Sequence, residues 1–270
     1  MRLSDLQRRI QTKEGLLNLF PNAAAAYSLR SLDKFINVVV RVRRSSDNAE
    51  QDFSENSILS GLLTQFVGAG NNGFVTRWYD QSGNGRDEIQ KVLVSQLLIV
   101  QNGALILVDG KPSVNFNGIG IGLTSVLNIL QPYTAFTVSR TVVPPSVSSG
   151  SSVYDGPYNF PERSFVRVYS NIFISCWAGT HLYSNNGNPS NRKITYSLFN
   201  SINSEVSFNE TLVASGNCGT LGQNIMEIGA QSRIVNRMVG EIQEIIIYPN
   251  NQSSNKNGIF QNMNQHYAIF

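Results

Sequence analysis

Phe74-Val-Thr-Arg-Trp-Tyr-Asp-Gln-Ser-Gly-Asn-Gly-Arg-Asp87 gives the clearest indication of the fold class of this chain. Its first half, Phe74–Asp80, is rich in β-branched and aromatic residues, which is typical of a strand. Its second half consists of turn formers, because Gly, Asn, Asp and Ser accept the dihedral angles that tight turns need. A strand that runs into a polar turn indicates an all-β domain, and we predict that Trp78 lies in its core.

Strands of the same kind recur at short intervals along the chain. Asn102-Gly103 and Asp109-Gly110 separate three of them and favour hairpins, because these residues tolerate positive φ. The predicted strands are Val38–Arg44, Leu97–Val100, Ala104–Val108, Ser113–Phe116, Phe136–Arg140, Phe165–Tyr169, Ile172–Trp177, Ile194–Phe199, Glu205–Phe208, Thr211–Ala214, Met226–Ala230 and Glu241–Tyr248. Such spacing predicts an antiparallel β-sandwich or barrel, with Pro144–Ser152 as a flexible loop.

Helices are predicted at both ends of the chain. Apolar residues recur at roughly helical spacing over residues 2–20, and Ile259, Met263 and Tyr267 stand at four-residue steps near the C-terminus. We therefore expect an N-terminal helical arm over residues 1–22. This arm either docks on its own domain or packs against another subunit.

The remaining residues, 23–270, are predicted to form one sandwich that includes the C-terminal helix. A single domain of this size is common among all-β folds, and we find no internal repeat and no linker that would divide the chain.

Composition excludes several classes of protein. Only 14% of the residues are charged, and 14 Phe and 10 Tyr are present, which argues against a disordered chain. A net charge of +3 is too small for a dedicated nucleic-acid binder. The sequence has no apolar stretch long enough for a membrane span, and Met1–Ile10 carries charges without the apolar core of a secretory signal.

The cysteines and histidines predict neither a disulfide nor a metal centre. Cys176 and Cys218 are expected to be reduced thiols, since nothing in the sequence indicates an oxidising compartment. His181 and His266 stand too far apart in the sequence for zinc-ligand spacing, and no phosphate-binding loop is present. We therefore expect no cofactor.

Two stretches resemble a known family. Val40–Asp52 followed by Val75–Asp87 resembles the N-terminal half of the catalytic domain of α-L-arabinofuranosidase B, where R-x-S-D-(N/G)-A precedes Y-D-Q-S-G-x-G. Gly240–Tyr248 resembles the last strands of concanavalin-like, laminin-G-like domains. The resemblance implies an all-β, concanavalin-like jelly roll, an antiparallel β-sandwich with short N- and C-terminal helices.

The resemblance is compatible with more than one function. Similar domains occur in bacteriophage virion proteins without the rest of the enzyme. Residues 54–74 contain no cysteine, whereas the enzymes carry cysteines before the Y-D-Q-S-G turn, and no motif here matches their nucleophile and acid. Our first hypothesis is therefore a virion-associated structural or accessory protein that decorates a capsid or tail and touches host glycans.

That hypothesis carries expectations about location and partners. The protein would be made in the host cytoplasm and would contact other virion proteins or itself through residues 1–22. Two alternatives remain open: a glycoside hydrolase of the α-L-arabinofuranosidase type and a stand-alone carbohydrate-binding module.

Catalysis of the retaining glycosidase kind needs two carboxyl groups about 5–5.5 Å apart. No strand of this chain sets alternate carboxylates on one face, so we assign no catalytic residue. The carboxyl groups considered are Asp80, Asp87, Asp155, Glu162, Glu227, Glu241 and Glu244.

Asp80, Asn84 and Asp87 form a polar group at the turn that follows Phe74–Asp80. The carboxylate of Asp80 is expected to accept hydrogen bonds from backbone N–H groups of that turn. Calcium binding by these three residues is the alternative, although calcium takes six to eight oxygen ligands.

Trp177, His181 and Tyr183 are the candidate carbohydrate-binding residues. Sugars stack on aromatic rings, and these three residues lie close together beside the Asn-rich segment 184–192. The competing interpretation, which the sequence alone favours, places Trp177 in the hydrophobic core.

Overall fold

Twenty-one strands and four short helices form the described part of the computed structural model, which comprises residues 14–118, 123–142, 150–170, 173–185, 190–231 and 235–270. The helices are α1 (Leu16–Leu19), α2 (Glu55–Leu59), α3 (Leu62–Val67) and α4 (Lys256–Tyr267). The strands are β1 (Ala25–Ser28), β2 (Val40–Arg44), β3 (Glu50–Phe53), β4 (Gly73–Trp78), β5 (Glu88–Ile89), β6 (Leu97–Gln101), β7 (Ala104–Leu105), β8 (Leu107–Val108), β9 (Lys111–Pro112), β10 (Val114–Asn117), β11 (Leu123–Ile129), β12 (Tyr133–Thr141), β13 (Ser151–Asp155), β14 (Phe165–Ser170), β15 (Phe173–Trp177), β16 (His181–Ser184), β17 (Lys193–Phe199), β18 (Ser204–Phe208), β19 (Thr211–Gly216), β20 (Gln223–Ile228) and β21 (Val239–Tyr248).

Strand β21 organises the first layer of the sandwich. It pairs antiparallel with β12 on one side, from Thr134 opposite Tyr248 to Thr141 opposite Gly240. On its other side it pairs with β1 and then with β10. The layer continues from β12 through β17 and β18 to β19.

The second layer is reached through β10, which pairs with β6. Strand β6 pairs with β4, and β4 also pairs with β2 and β5. From β5 the ladder runs through β11, β20, β13, β14 and β15 to β16, antiparallel at every step. The two layers close over a shared interior, so the expected all-β, jelly-roll-like sandwich is confirmed.

Two hydrophobic cores lie on opposite faces of the first layer. The main core fills the space between the layers and includes Tyr27, Trp78 and Ile245, all fully buried. The second core lies between the outer face of the first layer and helices α1 and α4, and it includes Phe136 and Phe260. Each large side chain buried in this way contributes roughly 1.5–3 kcal/mol relative to exposure.

The predicted C-terminal helix is confirmed as α4. Ile259, Met263 and Tyr267 are buried against the first layer, as the four-residue spacing indicated. At the other end of the chain, Leu16 and Leu17 of α1 pack into the same core. Residues 1–13 of the predicted arm lie outside the described residues, so the partner of the arm stays a prediction.

Most predicted strands are present with bounds shifted by one to three residues. The predicted hairpin turns also have the expected backbone, with Asn102, Gly103, Asp109 and Gly110 all at positive φ. The described part of the predicted loop differs, however, because Ser151–Asp155 is strand β13. All five of its residues are buried, so its sequence lacks the alternation that marks a half-exposed strand.

Helices α2 and α3 and strand β11 were not predicted. Helix α2 begins after Ser54, whose hydroxyl accepts a hydrogen bond of 3.1 Å from the Ser57 N–H. Both helices are shorter than two turns, so neither repeats its apolar pattern often enough to be recognised.

A buried ion pair links strand β21 to the segment that follows β1, and the C-terminal helix joins this pair through Tyr267. The Arg30 guanidinium donates to both carboxylate oxygens of Glu244, at 2.7 and 2.9 Å. The hydroxyl groups of Ser28 and Tyr267 donate to the same carboxylate at 2.8 and 3.0 Å. Glu244 is fully buried, so its charge depends on these donors.

We expect Glu244→Gln to lower the free energy of unfolding by about 3 kcal/mol, because the change leaves the Arg30 guanidinium buried without a counter-charge. Urea unfolding followed by circular dichroism measures the loss. Glu205→Gln is the control, since that carboxylate is 35% exposed and lies 3.7 Å from the Lys256 ammonium. Equal losses in the two variants would contradict the importance of the buried pair.

Candidate functional site

The candidate site lies on the outer face of strands β14, β15 and β16. Alternation along β14 directs Val166 and Val168 toward the interior, where both are buried. Phe165, Arg167 and Tyr169 therefore share the opposite face. On β16, His181 and Tyr183 are exposed while Leu182 and Ser184 are buried.

Aromatic rings cover this outer face. Trp177 stacks on Phe165 with ring centroids 5.4 Å apart and ring planes 11° from parallel. His181 lies 5.8 Å from Phe165, 6.3 Å from Tyr169 and 6.4 Å from Trp177. We call the set Phe165, Tyr169, Trp177, His181 and Tyr183 the aromatic face.

A buried cluster of charged side chains packs against the aromatic face. The fully buried Asp155 carboxylate accepts hydrogen bonds from Arg163, at 2.8 Å, and from Arg167. Arg167 also donates to Gln231 at 3.0 Å. The Arg163 guanidinium lies 5.1 Å from the centroid of Trp177, so a paired cation contacts the ring.

The electrostatics of the face keep His181 neutral. Its partial burial lowers the pKa of His181 below the ordinary value, and the positive charges of Arg167 and Arg163 lower it further. Its Nδ1 lies 2.8 Å from the Ser175 hydroxyl, which fixes the orientation of the ring. A neutral imidazole offers both a donor and an acceptor, which suits the hydroxyl groups of a sugar.

Trp177 is therefore not a core residue, and the sequence-based preference for that position is wrong. It is half-buried on the outer face and belongs to neither hydrophobic core. Trp78, in contrast, is fully buried in the main core as predicted. The structure brings Trp177 and His181 into contact and places Tyr183, 60% exposed, on the same face.

Sequence reasoning missed Arg163, Arg167 and Tyr169 as parts of this site. The segment Phe165–Tyr169 alternates, but we interpreted it as a core strand without assigning its two faces. The arginine at its centre was the available signal, because it lies on the same face as Phe165 and Tyr169.

The second group of predicted site residues forms a structural turn. Asp80 accepts backbone N–H hydrogen bonds from Ala26 and Ser82, both at 2.9 Å, and from Arg86 at 3.0 Å. The Ser82 hydroxyl donates to the same carboxylate at 2.8 Å. Asp80 thus joins strand β1 to the turn that follows β4.

Asn84 and Asp87 complete this turn through different partners. The Asn84 amide donates to the backbone oxygens of Ala23 and Ala24, at 3.0 and 3.1 Å. Asp87 accepts from the Asp80 N–H at 2.9 Å and pairs with Arg77 at 3.2 Å. Within the described residues, no group of three or more His, Cys, Asp or Glu side chains has the arrangement of a metal site.

Several of the carboxyl groups considered for catalysis are paired with arginine. Glu241 accepts from Arg140 at 2.9 Å, Glu244 pairs with Arg30, and Asp155 pairs with two arginines. Glu227, buried at 2% exposure, stands directly opposite Asp155 on neighbouring strands.

A further buried carboxyl group was not considered from the sequence. Burial raises the pKa of Glu88 well above its ordinary value, and the charge of Glu227 raises it further. Glu88 accepts a hydrogen bond of 2.6 Å from Ser125 and is fully buried within the second layer.

The two cysteines are free, buried thiols. Burial raises the pKa of Cys176 to about 12, so its thiol stays protonated and unreactive at neutral pH. Among the described helices, none is long and apolar enough to cross a bilayer.

Comparison with solved structures shows which proteins share this fold. An arabinofuranosidase complexed with arabinofuranosyl-α-1,2-xylobiose matches with a TM-score of 0.61 and 13% identity. A mutant GH54 α-L-arabinofuranosidase soaked with 4-nitrophenyl α-L-arabinofuranoside matches with a TM-score of 0.64 and 13% identity. A GH54 enzyme soaked with a cyclic sulfate inhibitor gives 0.62 and 14%.

These matches cover 92% of this chain but 63% of each enzyme chain. At this level of identity they show a shared fold and nothing further. No protein-family profile matches the sequence, and no curated protein matches it significantly.

We expect Asp80→Asn to lower the free energy of unfolding by about 2 kcal/mol, because the amide turns a donor toward backbone N–H groups that need an acceptor. Thermal unfolding with calcium or with EDTA tests the metal alternative in the same experiment. Asp47→Asn is the control, since that side chain is 51% exposed and a much smaller loss is expected from an exposed ion pair. A calcium-dependent rise in Tm that Asp80→Asn abolishes would favour the metal site instead.

Proposed function

We propose that this protein is a carbohydrate-binding, lectin-like sandwich that contacts glycan through the aromatic face, as an accessory protein of a bacteriophage virion. The observation that carries the binding role is a Trp, a His and a Tyr gathered on the outer face of β15 and β16. A core residue contributes only packing, whereas a half-buried Trp beside exposed polar rings offers a stacking surface to solvent.

The packing around Trp177 favours a ligand-binding role for the aromatic face. Trp177 stacks on Phe165, and the Arg163 guanidinium lies 5.1 Å from the centroids of both rings, so the Trp177 ring is positioned before any ligand arrives. Preorganisation of this kind lowers the entropy lost on binding. His181 and Tyr183 supply hydrogen-bonding groups at the edge, which is where the hydroxyl groups of a stacked sugar would lie.

The virion setting rests on the sequence resemblance to domains of bacteriophage virion proteins. The predicted location in the virion and the predicted contacts of residues 1–22 belong to this proposal. Mass spectrometry of purified particles, together with immunogold labelling, tests it. Absence of the protein from intact particles would overturn the virion role and leave the binding role to its own test.

A glycoside hydrolase is the second candidate, and the facing pair Asp155 and Glu227 is the observation that favours it. The two arginines on Asp155 weigh against this candidate, since their hydrogen bonds occupy both oxygens of a fully buried carboxylate. Turnover of 4-nitrophenyl α-L-arabinofuranoside that Glu227→Gln abolishes, with the fold retained, would replace our proposal with the hydrolase.

Glycan-array screening followed by isothermal titration tests the binding role. We expect Trp177→Ala to weaken binding of the best glycan at least tenfold, about 1.4 kcal/mol, because the stacking surface is lost. Tyr183→Ala is a second variant whose exposed side chain can be removed without disturbing the core.

Phe35→Ala is the matched control, because Phe35 is an exposed aromatic side chain, 75% accessible, outside the aromatic face. Circular dichroism verifies that each variant keeps its strands. Unchanged affinity in folded Trp177→Ala and Tyr183→Ala would contradict the proposed site.

A further inference from the structure

A separate cavity of about 530 Å³ opens at the start of β17. Its lining differs from the aromatic face and is rich in cationic and amide side chains. The described residues that line it include Asp109, Arg140, Asn191, Arg192, Lys193 and Asn209. Its volume lies in the range of small-molecule sites.

Lys193 is the unusual member of this lining. The residue is 9% exposed, and among the described residues no hydrogen-bond acceptor or carboxylate pairs with its ammonium, which lines the cavity. The Phe208 ring, 5.3 Å from Nζ, is its neighbouring aromatic group. A buried cation without a counter-charge is costly, so such groups are usually paired.

The carboxylates near the cavity already pair with arginines. Asp109 lies 3.0 Å from Arg192 Nε, and Glu241 accepts from Arg140 at 2.9 Å. Three cations therefore face two carboxylates, and the unmatched charge is that of Lys193. Burial lowers the pKa of Lys193 to about 8, so the ammonium form still predominates at pH 7.

We propose that this cavity binds an oxyanion, with the Lys193 ammonium as its counter-charge and Arg140, Asn191 and Asn209 as neighbouring donors. Asn209 Oδ1 accepts from the Ile194 N–H at 3.1 Å, which fixes the amide with its NH₂ group available for the ligand. The group that binds is a carboxylate or a sulfate. It belongs either to an acidic saccharide or to a free ion. A cavity larger than a single ion favours the saccharide.

Isothermal titration with three probes tests this proposal and separates the sources. Sodium glucuronate and sodium sulfate carry the anion, and glucose is the neutral analogue of the sugar. Binding of glucuronate alone supports an acidic-saccharide site, and binding of both anions supports an oxyanion site that accepts free ions. Binding of neither anion, or equal binding of glucose, overturns the proposal.

We expect Lys193→Met to weaken anion binding at least tenfold, because the variant keeps the length of the side chain and removes its charge. Lys256→Met is the matched control, since Lys256 is a partly buried lysine with its own carboxylate partner, Glu205. Unchanged binding in Lys193→Met, or equal loss in both variants, would contradict the assignment.

Thermal unfolding supplies a readout that does not depend on titration heats. A bound anion stabilises the folded state, so the anion should raise the Tm of the unaltered protein and not that of Lys193→Met. Binding should also weaken as the pH rises through about 8, because Lys193, whose pKa burial lowers to about 8, loses its proton there. The other charged groups at or beside the cavity are Arg140, Arg192, Asp109 and Glu241. A Tm rise of equal size in both proteins would place the anion elsewhere.

Discussion

The pairing of strand β21 on both of its edges holds the sandwich together, because β1, β10 and β12 are all hydrogen-bonded to it. The strand is buried on both faces and hydrogen-bonded on both sides, because buried backbone N–H and C=O groups need partners. Ile245 and Ile247 enter the main core, while Ile246 and Tyr248 enter the second core beneath α4. The alternation of one strand thereby positions two layers of side chains, and the bulge near Gln243 adjusts its register against β12.

The two proposed binding surfaces lie outside the hydrophobic cores of the sandwich. Strands β14, β15 and β16 direct one face to the main core, which leaves the other face free to carry rings and charges. The Asp155 carboxylate pairs with both Arg163 and Arg167 there, so hydrogen bonds to a carboxylate hold both guanidinium groups in the cluster beside Trp177. At the Lys193 cavity, in contrast, no carboxylate among the described residues pairs with the Lys193 ammonium.

The strands that end at tight hairpin turns are predicted well from the sequence. Asn102-Gly103 and Asp109-Gly110 mark real hairpins because few residues accept positive φ. The strand Ser151–Asp155 was not predicted, because burial on both faces removes the alternating pattern.

Site residues were harder to predict from the sequence than strands. The face on which a strand residue lies depends on tertiary packing, so the sequence favours a core position for Trp177 although the residue lies on the outer face beside His181. In the Tyr79-Asp-Gln-Ser-Gly-Asn-Gly85 segment, Asp80 and Asn84 hydrogen-bond to the backbone at and just before β1, so these polar residues have a structural role. The charge cluster around Asp155 was missed because its members come from separate strands and loops, and only the fold brings them together.

The most direct test of the account is an NMR titration of the two tryptophan indole N–H signals with the best glycan from the array. Trp78 is fully buried in the main core, whereas Trp177 is half-buried on the aromatic face. We predict that the Trp177 signal shifts in a saturable way while the Trp78 signal stays in place. A bound glycan that leaves Trp177 unchanged, or that moves Trp78 alone, would contradict the account.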